Sequence, residues 1–309
     1  GWPDGVEGFG VATGDLNRDG WTDLFVAGSD RLFLGGSEGL TEVDDDAFET
    51  EVFGDEDIVT GADIGDLDGD GWPDLVVGHH YNSTVDFDTE MPVRVYRNTT
   101  ARIGGVTSFD DVTDAVGSVP LPTKAPHVQI ADIDNDGRPD IVTSASAAGG
   151  DRPAVLMSVG ERRLRFAPPD GLGDDQYWVV APTVDIDRDG RLDVFALEWD
   201  PALPSRMFVN RTEGGHWLQV SVDGAAIGEP VVGTIVEVFE SGRSGDDDAL
   251  LARREIVVST GYGAGVAPVA HIGLGARTEV DVVVTTPGGR ELAHTADADA
   301  HLRFPDGCG

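Results

Sequence analysis

The chain has 309 residues, and its 57 acidic and 21 basic side chains leave a formal net charge of −36 at pH 7. Such an acidic excess argues against nucleic acid as a partner, because phosphate backbones bind basic surfaces. The single cysteine, Cys308, excludes an intrachain disulfide. No apolar run is long enough for a membrane span and no signal-like segment follows Gly1, so we expect a soluble, mature or trimmed form.

An acidic motif occurs four times along the chain. In its clearest copy, Asp66 to Leu75, aspartates occupy positions 1, 3, 5 and 9 and a glycine occupies position 6. Ca²⁺ prefers several hard oxygen ligands, and Gly71 permits the sharp turn that brings alternating carboxylates onto one ion. We therefore predict about four Ca²⁺ sites. Their sixteen ligands are Asp15, Asn17, Asp19, Asp23, Asp66, Asp68, Asp70, Asp74, Asp132, Asp134, Asp136, Asp140, Asp185, Asp187, Asp189 and Asp193.

The loops are predicted to join β-strands rather than the helices of an EF-hand. An EF-hand needs a glutamate at position 12 of its loop. That position holds Val26, Val77, Thr143 and Ala196 in the four copies. The residues after position 9 are β-branched and apolar, which favours strands, and the position-9 aspartate becomes the expected closing ligand. The alternative, an Asp-Gly hairpin turn without metal, would leave the carboxylates of each loop repelling one another.

The repeats have a regular internal plan. Their first aspartates, at positions 15, 66, 132 and 185, lie 51, 66 and 53 residues apart, which suits a four-stranded propeller blade with loops. Each repeat has an apolar strand before the loop, another after it, a third such as 31–34 or 93–96, and a weaker fourth such as 40–43 or 109–112. No helix-period segment of useful length appears, so the predicted class is all-β.

These acidic loops and their flanking strands resemble the FG-GAP/VCBS family, the calcium-carrying blades of integrin heads and of many secreted microbial proteins. The resemblance covers roughly residues 1–212 and implies a calcium-binding β-propeller with four recognisable blades. Four is the low end for a closed ring. Either the ring is small, or a divergent blade is built from residues 1–8 and part of the C-terminal segment.

The segment 213–309, which we call the tail, has a different sequence pattern from the repeats. Its motifs are Gly215-His216-Trp217, Ala226-Ile227-Gly228, Arg254-Glu255-Ile256, Gly261-Tyr262-Gly263, His271-Ile272-Gly273-Leu274-Gly275 and Pro287-Gly288-Gly289-Arg290. Their order resembles the ASPIC/UnbV domain of the cartilage acidic protein-like family, and implies a small β-sandwich-like domain with a boundary at 212/213. Thr286, in place of the family's tryptophan, and residues 229–232 depart from that pattern.

Chemistry-bearing side chains are expected at the ends of the hairpins opposite the acidic loops, which we call the rim. Residues before the first strand and after the second strand of a hairpin meet at that end. Grouped histidines, carboxylates and aromatics predict a surface binding or catalytic pocket. The catalytic candidates are His127, His79, His80, Glu198 and Tyr177. Their expected neighbours are Asp57, Ser29, Tyr81, Ser146, Trp178, Trp199 and Asp200.

Two polar residues precede their loops by three positions. Asp63 and Gln129 are expected to point along inner strands, where they would assist the metal ligands or line the channel. No catalytic signature such as a nucleophile elbow, a zinc-protease helix or a phosphate loop is present in the sequence.

Three functions are compatible with the sequence. The first is a calcium-binding recognition or adhesion module that binds a protein or a glycan at the rim. The second is a natural-product-pathway enzyme, a cyclase or hydrolase acting on a small-molecule substrate with rim His and Glu residues as acid and base. The third is a structural cell-surface element. The first and third imply an extracellular or cell-surface location, and the enzyme implies a cytoplasmic one.

Overall fold

A computed structural model describes residues 5–43, 57–82, 90–117, 120–122, 127–144, 155–159, 166–167, 178–198, 200–305 and 307–308. These ranges consist mainly of β-strands, which confirms the predicted all-β class. Their helical residues form one turn, α1 (Gly224–Ile227), and a short 3-10 turn at Asp247–Ala249. In the described part of the chain no helix is long and apolar enough to cross a membrane.

The repeats form four four-stranded antiparallel sheets, numbered 1 to 4 along the chain. Sheet 1 contains β1 (Gly10–Gly14), β2 (Asp23–Ala27), β3 (Arg31–Leu34) and β4 (Thr41–Glu42). Sheet 2 contains β5 (Asp57–Gly65), β6 (Asp74–Asn82), β8 (Arg94–Asn98) and β9 (Phe109–Asp111), while β7 (Glu90–Pro92) pairs with β10 (Pro120–Pro122). Sheet 3 contains β11 (Val128–Ala131), β12 (Asp140–Thr143), β13 (Val155–Ser158) and β14 (Phe166–Ala167). Sheet 4 contains β15 (Trp178–Val180), β16 (Thr183–Val184), β17 (Asp193–Glu198) and β18 (Arg206–Phe208).

Each acidic motif forms the turn between two paired strands of its sheet, as predicted: β1 and β2, β5 and β6, β11 and β12, and β16 and β17. The residue before the first aspartate pairs with the position-9 aspartate in every copy. These pairs are Gly14 with Asp23, Gly65 with Asp74, Ala131 with Asp140, and Val184 with Asp193. The same register in four copies means that the four loops have one common geometry at one end of the sheets.

Successive sheets pack face to face through apolar side chains. One buried cluster joins sheets 1 and 2, for example Phe25 with Leu75. A second joins sheets 2 and 3, and a third joins sheets 3 and 4. Since both faces of the middle sheets are covered, consecutive residues such as Leu75, Val76 and Val77 of β6 are all apolar and buried. None of the buried clusters among the described residues joins sheet 4 to sheet 1.

Polar bridges join the first strands of neighbouring sheets. The Asp63 carboxylate of β5 accepts a hydrogen bond from the Ile130 amide of β11 at 2.7 Å. The Gln129 side chain donates to Thr183 Oγ1 at 2.8 Å and accepts from the Thr183 amide at 3.1 Å. Both residues therefore lie along the inner strands, as predicted, and each satisfies a backbone donor of the next sheet.

The tail is a two-sheet sandwich. One sheet has the order β24 (Ala270–Gly275), β19 (His216–Val222), β27 (Ala300–Phe304) and β28 (Gly307–Cys308). The other has the order β21 (Leu250–Glu255), β20 (Ile235–Glu240), β25 (Glu279–Thr285) and β26 (Glu291–Asp297). A hairpin of β22 (Ser259–Thr260) and β23 (Ala264–Gly265) extends from it.

Alternating apolar residues of the two tail sheets meet in one core. Leu218 and Val220 of β19 face Val236 and Val238 of β20 across this core, in the period-2 pattern of strands with one buried face. Among the described residues the tail strands pair with one another, apart from a single bridge between Gly261 and Ala62. In the described structure no part of the tail completes a blade, and the boundary at 212/213 stays a prediction.

Candidate metal centres

The loop after β5 shows how each acidic motif folds. The two Asp66 oxygens accept hydrogen bonds from the amides of Gly69 at 2.8 Å and Gly71 at 3.0 Å. Gly71 has φ of +85°, a conformation that a residue with a Cβ rarely adopts. Asp74 accepts from the Leu67 amide at 2.9 Å and from the Asn98 amide of β8 at 2.8 Å. The carboxylates at positions 1 and 9 thus hold the loop closed and are themselves buried.

Equivalent hydrogen bonds occur in the other three copies. The position-2 amide donates to the position-9 carboxylate at 2.7 Å in the first loop, 2.9 Å in the third and 3.1 Å in the fourth. The position-6 glycine amide donates to the position-1 carboxylate in each loop. Each of these bonds joins residues fewer than ten positions apart, so local contacts close the loops that the motif predicts.

Three of the loops bring carboxylates together. In each, one oxygen from each of three aspartates lies within 4.8 Å of the others. The groups are Asp66, Asp68 and Asp70; Asp132, Asp134 and Asp136; and Asp185, Asp187 and Asp193. Clustered hard oxygens are the donor set that a hard divalent cation prefers, so these residues fit such an ion.

In the second and third loops, burial disfavours the charged form of the inner carboxylates. Loss of solvent raises the pKa of Asp66 to about 6, of Asp132 to about 7 and of Asp140 to about 8. Neighbouring aspartates in the same loop contribute to each rise in pKa. A carboxylate under these conditions is stabilised by any cation that its loop can hold.

The first loop has a different countercharge. The Arg253 guanidinium of β21 donates to Asp15 Oδ2 at 3.0 Å, and both side chains are buried. Glu255 accepts a hydrogen bond from the Asp15 amide at 3.0 Å, and burial raises the Glu255 pKa to about 7. Position 3 is Asn17 rather than aspartate, so this loop carries less charge than the others.

The tail also contacts the other three loops. Arg254 donates to the Asp66 carbonyl oxygen at 3.4 Å, and the Gln219 amide donates to Asp185 Oδ2 at 2.9 Å. In the third loop, His271 Nε2 lies 2.8 Å from Asn135 Oδ1, and a Cβ on Gly273 would overlap Asp132 Oδ2. One face of the tail therefore rests on all four acidic loops, and mainly on their first aspartates.

The β22–β23 hairpin of the tail reaches the inner strands. The Gly261 amide donates to the Ala62 carbonyl at 3.0 Å, and Thr260 Oγ1 lies 3.4 Å from the Val128 carbonyl oxygen. Gly261 has φ of +56°, and a Cβ there would lie 2.5 Å from His127 Nδ1. A glycine is needed because the tail backbone touches the imidazole directly.

A comparison with protein-family models supports the repeat assignment. The FG-GAP-like repeat model matches residues 15–77 and 66–143. The chain carries FG-GAP-like repeats. The two overlapping matches include the first three acidic loops and the strands around them. No curated protein matches the chain.

The histidines predicted at the rim of the FG-GAP-like repeats lie in the interior. His79 is 1% exposed and His127 is 0% exposed. Neither imidazole has a hydrogen bond of normal geometry. Burial lowers the His79 pKa to about 3 and the His127 pKa to about 4, with only the Ala181 backbone opposing the shift at His127. The expectation that these two are surface residues is therefore wrong, because neighbouring sheets and the Gly261 hairpin cover them.

The remaining rim candidates are only partly described. Glu198 is half-buried and its carboxylate accepts from the exposed Asp200 amide at 3.3 Å. Trp178 is buried, with its ring 5.1 Å from that of Phe208. His80 and Tyr81 belong to β6, but their side chains lie outside the described structure. Tyr177, Ser146, Trp199 and the Asp57 side chain also fall outside it.

Arg254 is the central cation between repeats and tail. It lines a cavity of about 210 Å³ together with Asp63, Gln129, Glu255 and His271. Asp66, Asp132 and Asp63 favour its charged form, although burial lowers the Arg254 pKa. Sequence reasoning missed Arg253, Arg254 and Gln219 as partners of the acidic loops. For the two arginines, the run of charged residues Arg253, Arg254 and Glu255 after the apolar start of β21 was the signal that could have identified them.

Proposed function

We propose that the protein is a calcium-stabilised recognition module in which FG-GAP-like repeats form a β-propeller-type body and the ASPIC/UnbV-like tail is fixed on its acidic loops. The observation that carries the proposal is the contact of one tail face with all four loops. In the first and fourth loops the tail is then held by the carboxylates of Asp15 and Asp185, which also belong to the proposed cation ligands.

Calcium suits the loops better than magnesium does. Ca²⁺ accepts about six to eight oxygens in a flexible shell, whereas Mg²⁺ requires a smaller octahedral one. The loops supply carboxylates at positions 1, 3, 5 and 9, except for the Asn17 amide at position 3 of the first loop, and position 9 also pairs within the strand that follows the loop. The bound cation would supply positive charge to buried carboxylates whose pKa is raised in its absence, such as Asp132.

The recognition surface is proposed at the rim, opposite the loops, for a protein or a glycan. Cations and the tail occupy the acidic end, so the sequences of the connections at the rim are free to vary. Their sequence contains His80, Tyr81, Tyr177 and Trp199, types that contact sugars and protein surfaces. We place the module outside the cell or at its surface, where calcium-binding modules work with dissociation constants of about 10⁻⁴–10⁻³ M.

No observation in the described structure favours the enzyme. His79 and His127 are closed off from solvent and their pKa values are lowered, so neither is placed to exchange protons with a bound substrate. We therefore assign both histidines a packing role.

Thermal unfolding of the chelated protein with added CaCl₂ or MgCl₂ tests the metal assignment. A ligand at 100 times its dissociation constant stabilises the native state by about 2.7 kcal/mol per site. We expect a large rise in Tm with Ca²⁺ and a smaller one with Mg²⁺. Asp187→Asn should reduce the Ca²⁺ effect, whereas the tail variant Asp247→Asn should not. Equal Tm values in chelator and in Ca²⁺ would contradict the proposal.

A further inference from the structure

The position after the first aspartate distinguishes sheet 4, on whose far side no other sheet packs within the described part of the chain. In the first three loops this residue is buried against the next sheet, and it belongs to the apolar cluster that joins the two. Leu16, Leu67 and Ile133 are 0%, 2% and 8% exposed. Ile186 occupies the same position in the fourth loop and is 56% exposed. Ile186 is thus exposed at a position where each of the other three loops forms an interface with the next sheet.

Two further positions of sheet 4 behave in the same way. Val184, the residue before the fourth loop, is exposed, while its equivalent Ala131 is buried between sheets 3 and 4. Val209 is exposed, while its equivalent Met157 packs against that same cluster. Together with Ile186 these residues define an apolar patch, which we call the forward face.

Sheet 1 presents the opposite half of the interface. Four residues before the first aspartate, sheets 2, 3 and 4 have Ala62, Val128 and Ala181, all 0% exposed and packed on the preceding sheet. Val11 is the equivalent residue in sheet 1, and it is 44% exposed. The neighbouring Phe9 is also exposed. These two residues define the backward face.

We propose that the forward face of one copy of this chain packs on the backward face of a second copy. The reason is continuity with an interface already present: sheets 1 to 2, 2 to 3 and 3 to 4 each join a forward to a backward face. Both faces exist on one chain, so a second copy supplies the complementary half. Exposed apolar patches of this kind mark interaction surfaces.

The contact joins two different surfaces, and this determines the type of assembly. A heterologous joint closes into a ring if its rotation permits, and otherwise extends into an open chain. The net charge of −36 on each copy opposes association. Salt and Ca²⁺ therefore strengthen it, because they reduce repulsion between the copies.

Sedimentation velocity of the Ca²⁺-loaded protein over a range of concentrations tests the proposal. We expect species heavier than the 32.6 kDa chain, with a fraction that rises with concentration. Ile186→Glu and Val11→Glu, on opposite faces, should each weaken association about 100-fold, because each buries an unpaired carboxylate in the joint. Ile103→Glu changes an equally exposed isoleucine outside both faces and should leave association unchanged.

Mixing the two variants identifies the joint. Ile186→Glu retains an intact backward face and Val11→Glu retains an intact forward face, so an equimolar mixture should regain a two-chain species that neither forms alone. Val209→Glu and Phe9→Glu repeat the test if either first variant has a lowered Tm in Ca²⁺. A protein that stays monomeric at about 100 µM, or association that survives both variants, would overturn the proposal.

Discussion

Asp15 and Arg253 lie 238 residues apart in the chain, yet the Arg253 guanidinium donates to the Asp15 carboxylate at 3.0 Å with only 7% and 6% of the two side chains exposed. Arg253 also lies 3.6 Å from Glu237 of the same tail sheet. The tail thus places a fixed cation on the loop that has the least acidic ligand set. Asp15 is therefore both a predicted metal ligand of its loop and a contact residue for the tail.

Arg253→Met should destabilise the protein by about 3–5 kcal/mol, because it leaves the buried Asp15 carboxylate without its countercharge. Arg243→Met is the matched control, since Arg243 forms exposed pairs with Glu240 and Asp246 in the same domain. That control should change stability by less than about 1 kcal/mol. Urea unfolding in Ca²⁺ measures both, and equal effects of the two changes would show that the buried pair has no special role.

His127 should make the protein sensitive to acid. Its folded pKa, about 4, lies below the ordinary value of 6.5, so the unfolded chain binds the proton more readily. The neutral His127 side chain therefore makes its full contribution to the unfolding free energy above pH 6.5. This contribution is lost as the pH falls toward 4, by about 2 kcal/mol between pH 6.5 and 5.

His127→Leu should flatten the pH dependence of the unfolding free energy in that window. The control variant is His294→Leu, which makes the same substitution at an exposed histidine of the tail. Urea titrations at pH 7.5, 6.5 and 5 in saturating Ca²⁺ give the pH dependence of the unfolding free energy for the parent and for each of the two variants. An unchanged slope in His127→Leu would mean that the imidazole is protonated in the folded protein.

Gly261 should be intolerant of a side chain because the tail backbone touches the repeats there. A Cβ at Gly261 would lie 2.5 Å from both His127 Nδ1 and the Val128 carbonyl oxygen. Gly242 has a similar positive φ, +78°, with nothing within 4 Å of a Cβ, so Gly242→Ala carries the backbone strain alone.

The difference in unfolding free energy between Gly261→Ala and Gly242→Ala then measures the effect of the contact with the repeats. We expect Gly261→Ala to be less stable than Gly242→Ala by about 1–3 kcal/mol. Hydrogen exchange of the Gly261 amide, which donates to Ala62, should also accelerate in Gly261→Ala. Matching stabilities of the two variants would contradict the docked hairpin.

Local parts of this fold were predictable and distant contacts were not. The loops and strands β2 and β3 follow from patterns within about ten residues, because each hydrogen bond there joins near neighbours, as Leu67 with Asp74 does. The burial of His127 depends instead on Gly261, and the countercharge of Asp15 depends on Arg253. No local pattern encodes which strand of the tail meets which loop.

The central claim is that the acidic loops bind cations and that the tail packs on these loops. Calorimetric titration of the chelated protein with Ca²⁺ tests this claim most directly. The second, third and fourth loops gather carboxylates, and the first loop pairs Asp15 with Arg253. We therefore expect three or four ions per chain, one fewer in Asp136→Asn, and no change in Asp110→Asn, which alters an exposed aspartate outside the loops. Fewer than one ion per chain, or equal stoichiometry in Asp136→Asn and the parent, would contradict the account.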